Sequence, residues 1–243
     1  MDLNLLDELE KTKSSLKFRI LFFFVFFLLA VFAVFVITSV LQANTVTQFL
    51  GFRYALPAVE KAIEVIDAEA FQQLTKTMDD SDPYYIETQQ KLLEIKEEAN
   101  VTYLYTMAQQ DRGMFIYVID GSDVPGGEDF SALGDEEDIS LWDRAALRSF
   151  NTGTLLMGTI DQSEEWGALI SAYAPIINDA GEVIGLLACD IDATEIVNWI
   201  RTQVIWQLGI VLVLIVVGLA VYLGVIKMLN KSFSLIIGSE ENN

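Results

Sequence analysis

Residues 166–192 read WGALISAYAPIINDAGEVIGLLACDID, and this stretch decides the fold. It divides into two apolar, β-prone runs, 167–177 and 183–191, around Asn178-Asp179-Ala180-Gly181. Asn and Asp bond their own backbone in turns and Gly accepts positive φ, so the middle predicts a hairpin connection. Both runs are too apolar for a sheet with one wet face, so cover is expected on each side. Asp192 then opens a helix. Its carboxylate can accept from the free amides of the first turn, and Glu195, three residues on, supplies the other half of a capping box. That helix runs on toward an apolar stretch long enough to cross a bilayer.

Residues 18–41 and 204–226 are almost wholly apolar. The first would be roughly 36 Å long as a helix, enough to span the hydrocarbon layer, and the second is close to it. A cleaved signal peptide carries a shorter apolar core that ends in a small-residue site, so 18–41 reads as an anchor. Lys11, Lys13, Lys17 and Arg19 lie before or at the start of the first span, and Lys227 and Lys231 follow the second. Positive residues stay on the cytoplasmic side. The expected arrangement in the cell (inner) membrane is therefore a cytoplasmic leader 1–17, a span 18–41, an outer domain 42–203, a span 204–226 and a cytoplasmic tail 227–243. Trp199 and Trp206 bracket the entry to the second span as an interfacial belt. The tail is too short to bury a core, so a signalling output is expected from a separate or missing domain.

The formal net charge is −20, from 35 acidic and 15 basic residues, and it falls almost entirely on the outer segment. That balance argues against nucleic acid or anionic lipid as the partner of this segment. There is no histidine and one cysteine, Cys189. Ser-His-Asp and Cys-His catalysis, His-ligated zinc or haem, and a disulfide framework are thereby removed. Neither a cofactor nor an enzymatic activity is expected.

Residues 42–78 predict a helix, since Val59, Ile63, Ile66, Ala70 and Leu74 recur at three and four, with Pro57 as a kink or restart. Asp82-Pro83 is a cap followed by proline at the first helical position, and Tyr85, Leu92, Ile95 and Ala99 mark the buried face of that second helix. From Val101 the period becomes two. Residues 101–108 and 114–120 form a hairpin joined by 109–113. Tyr103, Tyr105 and Met107 share one face of the first strand; Phe115, Tyr117 and Ile119 share one face of the second. Residues 121–140 are a long acidic loop whose spacing fails the EF-hand template, so a solvated loop is expected rather than a calcium site. Residues 141–150 are a short amphipathic helix and 154–160 a third strand. With the two strands of 166–192, the sheet has five.

Tyr103-Leu104-Tyr105-Thr106, then Phe115-Ile116-Tyr117-Val118-Ile119-Asp120, then Trp166-Gly167, Ser171-Ala172-Tyr173-Ala174-Pro175-Ile176, Gly181-Glu182-Val183-Ile184-Gly185 and Asp190-Ile191-Asp192 form an ordered set between two spans. That set resembles an extracytoplasmic single Cache domain, the PAS-like sensor module of bacterial chemoreceptors and sensor kinases. The resemblance covers roughly residues 45–200. It implies an α+β fold, with a five-stranded antiparallel sheet, a long N-terminal helix and a roofed cavity for a small ligand. It departs from the typical receptor after the second span, where a HAMP segment usually follows.

A small-ligand pocket combines apolar walls with a few aimed polar groups. The roof is expected over 121–150, with Tyr103, Tyr117, Trp142, Trp166 and Tyr173 as walls, unless these aromatics are simply core. Arg144 either receives a ligand carboxylate, as for an organic acid or an amino acid, or pairs with Asp143 or the 135–138 run. Asp190 either meets a ligand ammonium or caps the next helix beside Asp192. A homodimer is expected through the spans and the 42–78 stripe, with Gly209 and Gly218 allowing close approach. The alternative to a ligand-binding sensor is an accessory membrane protein that acts by contact with a separate receptor or transporter.

Overall fold

A computed structural model describes residues 3–240 apart from 112, 143, 164 and 165. It divides into two compact units, Met1–Leu41 with Trp199–Asn243, and Gln42–Asn198.

The first unit is built on two helices, α1 (Leu3–Leu50) and α6 (Thr194–Glu240). Ser14–Gln42 and Thr194–Ser232 within them are long and apolar enough to cross a membrane. Inside this unit Ser39 Oγ donates to Gln207 Oε1 at 2.9 Å. A β-carbon at Gly218 would overlap the Phe24 ring, so this glycine is needed for contact between the chain's own two spans. A small residue that lets two helices approach and a side-chain hydrogen bond between them are the usual cement where the hydrophobic effect is silent. Gly218 thus serves a contact within one chain.

The second unit is α+β. A π-turn (Gly51–Ala55) leads into α2 (Leu56–Glu64), followed by α3 (Ala68–Thr77) and α4 (Pro83–Ala99). The 42–78 segment is therefore not one kinked helix. Asp67 interrupts it, extended in its backbone and accepting from Ala70 N at 2.9 Å, because a short carboxylate competes better as a cap than within a helix. Asp82 caps α4 in the expected way, accepting from Tyr84 N at 2.8 Å ahead of Pro83.

Strands β1 (Tyr103–Asp111), β2 (Met114–Asp120), β3 (Glu136–Asp138), β4 (Leu156–Ser163), β5 (Gly167–Ile177) and β6 (Val183–Asp192) form one antiparallel sheet in the order β3-β2-β1-β6-β5-β4. Among the described residues the sheet thus has six strands rather than five. The addition is β3, three acidic residues at an edge, where charge keeps another chain from pairing. The β5–β6 connection is the expected turn: Asn178 Oδ1 accepts from Ala180 N at 3.1 Å and Glu182 N at 2.9 Å, and Gly181 has φ +81°. Part of the 109–113 connection, Arg112, lies outside the described residues.

Both faces are covered. On one face α2, α3 and α4 bury Val59, Phe71, Leu74 and Leu92 against Leu104, Val118, Leu187 and Cys189. Each such side chain is worth about 1.5–3 kcal/mol relative to exposure. The apolar stripe expected at a dimer interface is therefore core within the chain. At Gly121 α4 crosses so closely that a β-carbon would sit 2.7 Å from the Leu92 carbonyl carbon, which fixes where the acidic loop leaves the sheet. The opposite face packs against α5 (Arg144–Thr152) and the short turn Ile139–Leu141 before it.

Candidate ligand site

Strand register sets side chains in rows on this second face. Ser171 and Tyr103 both pair with Asp190, which makes one row. Tyr173, Ala188, Tyr105 and Asp120 make the next. Asp120 reaches this face only through a bulge. Thr106 pairs with Ile119 and Met107 with Tyr117, leaving Val118 as an extra residue. Strict alternation would have turned Asp120 toward the helices with Ile116 and Val118; the extra residue moves Ile119 there instead and turns Asp120 over. The Thr106 hydroxyl pins the bulge, donating to Ile119 O at 3.1 Å and accepting from Ile119 N at 2.9 Å. The expectation that Ile119 shares a face with Phe115 and Tyr117 fails for this reason.

Asp120 organises the loop that follows it. Its Oδ1 accepts from Ser122 N at 2.8 Å and its Oδ2 from Ser131 N at 2.6 Å, so one carboxylate clamps two points of the roof. Burial holds this carboxyl above the usual carboxylate range in spite of those bonds. The other acidic residues of the loop hold its turns. Asp123 accepts from Val124 N, Asp135 from Ala132 N and Asp138 from Ser140 N. Among the described residues no group of three or more acidic or cysteine side chains is placed to hold a metal ion.

Between roof and sheet lies a cavity of about 90 Å³. One water needs roughly 10–15 Å³ measured this way, so the space suits a ligand of several heavy atoms. Its floor is Tyr105, Tyr173, Ser171 and Asp190; Tyr117, Ser122, Asp129 and Ser131 close one side; Asp161, Ser163, Trp166, Gly167 and Leu169 close the other. Trp142 covers it, with the indole N–H donating to Glu137 Oε1 of β3 at 3.2 Å. The rings touch in sequence: Tyr105 lies 5.2 Å from Tyr117 and 6.5 Å from Trp142, Trp142 6.3 Å from Tyr173, and Tyr103 5.5 Å from Trp166. The Tyr105 side chain is hydrogen-bonded to Asp190. Burial, then the Asp190 charge, pushes the Tyr105 phenol well above its ordinary value. Tyr117 is raised by burial and then by Glu137 and Asp190, so both phenols stay protonated donors.

No protein-family model matches the sequence, and no curated protein matches it. Solved structures do. An extracellular ligand binding receptor from Desulfohalobium retbaense is 16% identical, with a TM-score of 0.39 over 66% of this chain and 26% of its own. The ligand-binding domain of the Campylobacter jejuni chemoreceptor Tlp3, in complex with L-norvaline, is 15% identical, with a TM-score of 0.39 over 69% of this chain and 63% of its own. The periplasmic sensory domain of the Campylobacter jejuni chemoreceptor Tlp1 is 12% identical, with a TM-score of 0.38 over 65% of this chain and 59% of its own. The chain thus spans about a quarter of the first and about three fifths of the other two.

Of the residues singled out in the sequence, Tyr103, Tyr117, Trp142, Trp166, Tyr173 and Asp190 all line the cavity. Arg144 does not. In α5 Ala146 and Ser149 are buried, Ser149 donating to Thr154 O and Tyr173 O, and this phase turns Arg144 and Arg148 outward to solvent. Asp143, its expected partner, lies outside the described residues. Asp192 does the capping that was one reading of Asp190, accepting from Thr194 N at 2.7 Å. The wall residues not anticipated are mainly polar, Asp120, Ser122, Asp129, Ser131, Asp161, Ser163 and Ser171, together with Gly167 and Leu169. Ser171 was legible, since it sits in an otherwise apolar strand. Asp120 was not, because the bulge reverses its parity.

Proposed function

We propose that this chain is a membrane-anchored sensory receptor region. It takes a small extracellular ligand in the cavity above the sheet and passes the signal across the membrane by helix displacement. The supporting observation is that Asp190, a buried carboxylate of the cavity, lies on β6, and β6 leads within two residues into α6, which carries an apolar span. The reading places 42–203 outside and both termini in the cytoplasm, and it assigns binding rather than catalysis. Ligand contact with Ser131 and Asp129 draws the clamped loop onto the sheet. A coupling of about 1–3 kcal/mol is typical of such switches and can come only from differential affinity for two states. Pairing of two copies belongs to the reading through the spans alone, where nothing among the described residues lies within 4 Å of a β-carbon at Gly209.

The test is thermal unfolding of the full chain in lipid nanodiscs against amino acids, organic acids, amines and purines. A true ligand at a hundredfold its Kd stabilises by about 2.7 kcal/mol. The same compound should leave Ser171→Leu, which fills the floor, unshifted. A wild-type chain that answers to none of these classes and co-purifies with an unlike membrane subunit is an accessory protein instead.

A further inference from the structure

The sign of the cavity is one-sided. Asp120 and Asp190 are 2% and 3% exposed at its base, and Asp129 and Asp161 are exposed at its rim. No lysine or arginine lines it among the described residues. Asp120 accepts from two loop amides, and Asp190 stands on the floor beside Tyr105 and Ser171. Tyr105 already bonds this carboxylate, and a cation beside it would add an opposite charge to that bond. Around it stand Tyr103, Tyr105, Trp142 and Trp166, whose rings meet one another largely edge to face. Aromatic faces attract a cation through their quadrupole, and a cage of several such rings beside a carboxylate recognises ammonium groups. A carboxylate-bearing ligand meets the opposite situation. Arg144, the cation expected for it, is turned to solvent, and its negative end would lie among aspartates with nothing to neutralise it.

We infer that the ligand is a small organic cation, an amine or quaternary ammonium without a carboxylate, whose head group sits beside Asp190 inside the Tyr103–Tyr105–Trp142–Trp166 wall. This rests on the reading of the cavity as a ligand site. The rim aspartates draw the cation in, and the small volume limits it to a few carbons.

The experiment is calorimetric titration of the full chain in nanodiscs with five probes: choline, propylamine, 3,3-dimethylbutan-1-ol (the uncharged carbon isostere of choline), L-valine and propionate. Choline or propylamine should bind, the neutral isostere at least tenfold more weakly than choline, and L-valine and propionate not measurably. Asp190→Asn should weaken the cation by about 100-fold, as expected when one partner of a buried charge pair is lost. Should that variant not fold, half-buried Trp166→Leu takes its place, with a loss of about tenfold. Equal binding of choline and its isostere overturns the inference, as does full cation affinity in Asp190→Asn. Binding of L-valine or propionate without either amine also overturns it, yet leaves the ligand-site reading standing. Silence from all five probes overturns the cation assignment, while the wider screen and Ser171→Leu decide the ligand-site reading separately.

Discussion

The Tyr105 side chain is hydrogen-bonded to the Asp190 carboxylate on the cavity floor. Both residues are buried, and their strands are neighbours in the ladder. Tyr105→Phe keeps the ring and removes a donor from a buried carboxylate. It should cost about 1–3 kcal/mol, the usual loss for stranding a buried polar group. Thermal unfolding of the full chain in micelles reads this directly; an unchanged Tm would mean that Asp190 is satisfied without Tyr105.

Thr106 makes a second test, of the bulge. Its hydroxyl serves both the amide and the carbonyl of Ile119 in a fully buried position. Thr106→Val keeps the shape and strands both groups, so a loss of about 1–3 kcal/mol is expected. Ligand response should fall with it, since the bulge is what faces Asp120 to the cavity. A variant as stable as the wild type would show that the bulge is held by backbone pairing alone.

Asp120 gives a pH dependence. Its folded pKa is raised, chiefly by burial, so the folded state takes up this proton first as pH falls. The contribution to stability is fully present below the unfolded carboxylate pKa and is lost as pH rises through the folded value. Wild type should therefore gain stability relative to Asp120→Asn when pH is lowered from 7 toward the ordinary carboxylate range. A difference between the two proteins that stays constant over that interval would show that Asp120 titrates as if exposed.

Arg144→Ala should be nearly silent. The side chain is exposed, and surface changes of this kind stay within about 0.5 kcal/mol. No ligand response should change either. A lost response would return Arg144 to the binding site.

Topology is tested by labelling. Val124 is 56% exposed on the loop, and the native thiol, Cys189, is fully buried with its pKa pushed up by burial and by Asp190. Buried, protonated thiols are inert, so the background is low. Val124→Cys should react with a membrane-impermeant maleimide in intact cells. Reaction only after lysis would invert the proposed orientation.

The sequence carried the frame of this domain further than its site. Asn178, Gly181, Asp82 and Asp192 act locally, through bonds to neighbours a few residues away, and such bonds are legible from spacing. So were Tyr103 and Tyr173, because strand alternation holds wherever a ladder is regular. Asp120 escaped because one extra residue reversed that alternation, and the cause, Thr106, lies on a different strand. β3 escaped because three acidic residues have no strand signature until β2 offers them an edge. Arg144 lies outside the cavity for a plainer reason. Ala146 and Ser149, three apart, already marked the face of α5 that turns inward, and Arg144 and Arg148, four apart, marked the other.

The strand order has a mechanical consequence. β6 is the strand that hands the chain to α6, and it is clamped on both edges, by β1 over Tyr103–Met107 partners and by β5 along nearly its whole length. It cannot slide like a piston rod in a sleeve without breaking two ladders of backbone bonds at once. A force applied at the cavity would therefore travel as a rocking of the whole plate, with β6 as its spine. Edge strands β3 and β4 would swing furthest and the centre least, so what leaves the domain through β6 would be a change of angle more than of height.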